Sequence, residues 1–114
     1  MIPERYSEIL KASGRSLQDM HVAEVALTRP HALDAVTSLK GTQVVILGGD
    51  VLRLSNESPR YTGDNWFVKR QPDEDLAAYI VRSHEKAEAY IRNYSQDFED
   101  GSVLYAIVVR DLAQ

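Results

Sequence analysis

Residues Val44 to Trp66 read VVILGGDVLRLSNESPRYTGDNW. Val44-Val45-Ile46-Leu47 is an uninterrupted and mostly β-branched apolar run, the composition of a strand covered on both faces. It meets Gly48-Gly49-Asp50, two residues that accept almost any backbone angle followed by a carboxylate. Val51-Leu52-Arg53-Leu54 then resumes as a strand, Ser55 to Ser58 with Pro59 supplies turn chemistry, and Tyr61 to Trp66 leads into Trp66-Phe67-Val68-Lys69. The pattern predicts a strand kinked at the glycines, a return loop, and an antiparallel partner strand carrying the one tryptophan of the chain.

On the N-terminal side, Pro3 fits the first turn of a helix that shows Tyr6, Ile9 and Leu10 on one side and ends at Gly14. Ser16 to Met20 reads as connector, and Val22 to Thr28 as a short strand with Val25 and Leu27 on one face. Thr28 and Pro30 open a second helix, on which Ala32, Leu33, Val36 and Leu39 recur until Lys40-Gly41. A strand, helix, strand succession of this length predicts a crossover with a parallel pair of strands.

On the C-terminal side, Pro72 and the acids Asp73, Glu74 and Asp75 suit the start of the longest helix. Its apolar stripe is Leu76, Tyr79, Ile80, Ser83, Ala87, Tyr90, Ile91 and Tyr94, opposite Arg82, Glu85, Glu88 and Arg92. Asp97 to Gly101 is a polar loop, and Val103 to Val109 is apolar throughout, as expected of a central strand. The class expected is α+β, in the order α-β-α-β-β-α-β, with helices packed on a mixed sheet of about four strands.

At 114 residues, the chain has the size of one domain with a single core. It has no cysteine, so it has neither a thiol nucleophile nor thiolate metal ligands, and it is compatible with a reducing cytosol. No apolar run reaches the length of a membrane span, and Met1-Ile2-Pro3-Glu4-Arg5 does not resemble a secretory leader, which predicts a cytoplasmic protein without a membrane partner. The net charge is −4, and residues 73–100 carry eight Asp/Glu against three Lys/Arg. An acidic face of that kind repels phosphate backbones and argues against nucleic-acid binding.

The constellations that catalysis would need are missing. His21, His31 and His84 show no metal-ligand spacing, and there is no HExxH, GxxxxGK[ST], GxGxxG or GxSxG, so neither metal nor cofactor is expected. Gly48-Gly49-Asp50 shares three letters with the GGDEF signature of cyclic dinucleotide synthases, but Val51-Leu52 replaces the acid and aromatic that follow there. Three roles are open for Asp50: a carboxylate satisfying local backbone donors at a bulge, a partner contact, or the acid of a small hydrolase or ligand-binding domain with a pocket at Gly48-Gly49-Asp50. Trp66 is either core or a binding anchor, and Tyr61 is expected on the surface.

Ala26-Leu27-Thr28, Ala32-Leu33-Asp34-Ala35-Val36, Val45 to Val51 with its Gly-Gly-Asp, Tyr61, Asn65-Trp66, Ser83, Lys86-Ala87 and Tyr90-Ile91 together resemble the immunity protein 40 family. That family comprises small antitoxins of bacterial polymorphic toxin and contact-dependent inhibition systems. The resemblance implies a non-catalytic protein that neutralises a cognate toxin domain by stoichiometric binding. Under that reading the toxin-binding candidates are Asp50, Tyr61, Asp64, Trp66, Glu85, Glu88, Asp97, Glu99 and Asp100, with Gly48 and Gly49 structural. Acidic residues would speed capture of a basic toxin and make the association rate fall with salt.

Overall fold

The structure, a computed structural model, describes residues 2–18 and 24–113. His21 and the first two residues of the expected strand at Val22 fall outside the described residues. The elements, in chain order, are α1 (Glu4–Ser13), β1 (Arg15–Ser16), β2 (Val25–Ala26), α2 (Arg29–Ser38), β3 (Val44–Ser55), β4 (Ser58–Phe67), α3 (Leu76–Asn93) and β5 (Val103–Asp111). The class is α+β, as the patterning implies.

The sheet itself differs from expectation. Every named strand pair is antiparallel, in a three-stranded sheet of order β4-β3-β5 and a two-stranded one of β1 and β2. The parallel crossover does not form, because β5, last in the chain, occupies the place beside β3. Among the described residues, the segment after β2 pairs its backbone with the sheet through an antiparallel bridge from Leu27 to Tyr105. The central strand is therefore β3, and β4 is a free edge.

β3 runs unbroken through the glycines. Opposite β5 it accommodates one extra residue between Ile46 and Gly48, a bulge at Leu47. Opposite β4 the register slips between Asp50 and Leu52, so the surplus falls on Thr62 to Asp64, where Gly63 has φ +92°. The hairpin closes through Asn56 and Glu57, at φ 52° and 65°. Two successive left-handed residues are what a two-residue turn of this hand requires.

Alternation along the strands produces two packed faces. Val51, Trp66, Val103, Tyr105 and Ile107 join Tyr6, Val36, Tyr79, Ala87 and Ile91 from the helices in the main core. Leu52, Leu104 and Ala106 point the other way and cluster with Leu17, which follows β1, and Ala26 of β2. Two polar residues of the α3 stripe are buried for a specific reason. Ser83 Oγ accepts from Ile46 N at 3.0 Å and His84 Nε2 donates to Val44 O at 2.7 Å, so they satisfy β3 backbone groups in a dry environment. α3 begins later than the acid run suggests: Asp75 is its N-cap, accepting from Ala78 N at 2.7 Å.

Candidate functional site

The two glycines are explained by Trp66. A Cβ on Gly49 would collide with the far edge of the indole and lie 2.7 Å from Ala106 O; one on Gly48, at φ +155°, would run into the Trp66 carbonyl and lie 2.9 Å from Phe67 Cα. Only glycine lets strand and ring approach this closely. On this face the space beside Gly48 and Gly49 is filled by indole and backbone.

Trp66 is 5% exposed and belongs to the core, which removes it as a surface anchor. Its ring stacks on Tyr90 with centroids 4.7 Å apart, Tyr90 lies 6.0 Å from Tyr94, and Tyr94 meets Tyr105 edge-on at 6.1 Å. The indole N–H is buried without a hydrogen-bond partner among the described residues. Tyr94 Oη donates to Asp64 at 2.6 Å. Burial pushes the Tyr90 and Tyr94 phenols upward, and the Asp64 carboxylate adds to the rise in both.

Asp50 lies on the opposite face. It pairs across the strands with Asn65 and Ala106, and the next residue on that face, Leu52, pairs with Tyr61. Tyr61 is 45% exposed, and its phenol is pushed up by burial and then by the charges of Asp50 and Glu24. The hairpin therefore carries a carboxylate beside a tyrosine on each face. Its outer strand β4 is exposed at most positions, and Phe67 is 69% exposed.

The remaining candidates do not join this surface. Asp97 is buried: it accepts from Tyr105 Oη at 2.8 Å and from Glu99 N at 2.9 Å, and lies 3.6 Å from Arg29 Nε. It ties the 94–102 loop to Tyr105 and Arg29. Glu99 pairs with Arg29 at 3.2 Å, and Asp100 accepts from the Ser102 amide and hydroxyl. Glu88 pairs with Arg92 across one helical turn at 3.7 Å, and Glu85 is exposed on the same helix. Both line a cleft with Lys40, Val81 and Arg92. Tyr90 and Tyr94, in the apolar stripe of α3, are partly buried and packed against the main core.

Among the described residues no three His, Cys, Asp or Glu side chains are gathered to hold a metal ion, and no helix is long and apolar enough to cross a membrane. No curated protein and no solved structure matches the chain. The family model of immunity protein 40 matches residues 16–109, which takes in the β3–β4 hairpin, α3 and most of β5. On that match, the chain belongs to the immunity protein 40 family.

Proposed function

We propose that this protein neutralises a cognate bacterial toxin domain by direct stoichiometric binding in the cytoplasm, without catalysing a reaction, and that the β3–β4 hairpin is its contact surface. The observation that carries the proposal is the free edge β4. It exposes Tyr61 and Phe67, and it carries Asp64 and adjoins Asp50 of β3, two carboxylates that no arginine or lysine pairs among the described residues. Aromatic side chains flanked by charge are the usual anchors of tight complexes. An edge strand also offers unpaired backbone groups to a partner.

The family supplies the immunity role, and the hairpin supplies a way to perform it. Toxins that act on nucleic acids present basic clefts, to which exposed carboxylates give faster and more selective association. The toxin systems concerned would be the polymorphic or contact-dependent kind. The test is co-expression with the toxin domain encoded beside this chain, scored for growth. The wild-type chain is expected to restore growth, and a folded Asp50→Ala/Tyr61→Ala double variant to lose at least tenfold in affinity for the purified toxin. Restored growth with no complex detectable at micromolar concentrations would defeat direct binding.

A further inference from the structure

We infer that Asp64, Tyr94 and Tyr90 form a seat for an arginine side chain of the partner. The inference rests on the proposed binding role and specifies what one part of the surface recognises. An exposed carboxylate offers about four acceptor sites. Asp64 uses one of them on the Tyr94 hydroxyl, at 2.6 Å, and the residue is exposed. Glu74, Glu88, Asp97 and Glu99 each have an arginine within 4 Å, whereas the partner of Asp64 is a phenol.

The neighbouring rings supply the rest. Tyr90 and Tyr94 are partly exposed, their planes 31° apart, and Trp66 and Tyr105 hold them from behind and from the side. Because the platform is already fixed by packing, a ligand does not have to order it on binding. A cation within about 6 Å of such faces is attracted by the ring quadrupoles. A guanidinium fits better than an ammonium, since its planar fork can meet the carboxylate edge while its flat face lies on a tyrosine. The Asp64 charge also helps to keep both phenols protonated.

Trp66 is the single tryptophan and stacks on Tyr90, so its indole N–H resonance reports on the seat. The experiment is a titration of the full, isotope-labelled chain at low salt with hexa-arginine and with hexa-lysine. A saturable shift of the Trp66 indole signal is expected with hexa-arginine, at least fivefold weaker binding with hexa-lysine, and at least tenfold weaker arginine binding in Asp64→Asn. Asp50→Asn, which removes the same charge from the opposite face, is expected to change it less than twofold. Equal losses in the two variants, equal binding of the two peptides, or no shift would overturn the inference in favour of general charge attraction or of no seat. A Trp66 shift that follows protein concentration without peptide would assign the seat to a second copy of the chain and overturn it too. The growth assay is independent of this titration: full rescue by Asp64→Asn removes the seat and leaves toxin binding standing, while failure of the wild-type chain to rescue removes the binding role.

Discussion

The 73–100 segment and the β3–β4 hairpin both carry carboxylates, and they use them in opposite ways. In the first, acids meet guanidinium groups of the same molecule: Glu74 with Arg82, Glu88 with Arg92, and Asp97 and Glu99 with Arg29. In the hairpin, Asp50, half-buried, and Asp64, exposed, have tyrosines for neighbours. A count of charges along the chain marks the first region as the acidic one. Coulomb attraction within the fold neutralises half of the eight acids of the first, whereas Asp50 and Asp64 have no arginine or lysine partner among the described residues.

The largest effect is expected where the internal pairing is most buried. Arg29 also donates to Ile91 O at 3.0 Å and Tyr94 O at 2.7 Å, so it satisfies the C-terminal carbonyls of α3 as well as Asp97. Arg29→Ala would strand the Asp97 carboxylate without its counter-ion and is expected to cost about 3–5 kcal/mol. Urea denaturation of the two proteins measures the difference. A loss below about 1 kcal/mol would mean that Asp97 is far better solvated than its position indicates.

The next effect belongs to the hairpin. Gly49→Ala places a methyl group against the indole and the Ala106 carbonyl, and overpacking of this kind costs about 1–3 kcal/mol. Trp66 emission should shift at the same time, since the ring must move. A neutral substitution with unchanged emission would show that the glycine is not required by the ring.

A third, smaller effect depends on pH. Glu74 accepts from Arg82 Nε at 2.6 Å and from Gln71 N at 3.0 Å, and these bonds hold its carboxyl at about 2, well below the usual range. Its pKa is lower folded than unfolded, so the stabilisation is complete above the unfolded value of about 4.3 and disappears as pH falls from there towards 2. Glu74→Gln should therefore be less stable than the wild type at pH 7 and equal to it near pH 2. Denaturation midpoints at pH 7, 4 and 2.5 test this, and a difference that persists undiminished at pH 2.5 would contradict it.

The parts of this contrast that the sequence discloses are the local ones. The β-branched run at Val44, the turn chemistry before Pro59, the stop at Gly14 and the helical stripe of α3 are set by neighbours a few residues apart. Pairing is not local: nothing in the strand, helix, strand spacing before Val44 reveals that Val103–Asp111, some sixty residues later, takes the place beside β3. The same limit applies to the surface. Asp97 and Asp64 look alike in the sequence, and only the fold places one beneath Arg29 and the other beside Tyr94. Ser83 and His84 likewise read as an apolar-stripe residue and a stray histidine until Ile46 N and Val44 O are seen to need partners.

The smallest expected effect sharpens the comparison most. Glu88 and Arg92 form an ion pair 3.7 Å long with the arginine side chain 60% exposed, and solvent-screened pairs at this spacing contribute about 0.3–0.5 kcal/mol. Glu88→Gln should lower stability by no more than that. It should also slow toxin association less than Asp64→Asn does, although each removes one negative charge from the surface, because Arg92 already offsets the field of Glu88 at any distance beyond the pair itself. Stopped-flow association rates at low and high salt separate the two variants. If Glu88→Gln slows capture as much as Asp64→Asn, steering follows net charge alone, and the distinction between acids paired within the fold and acids left to a partner has no consequence for binding.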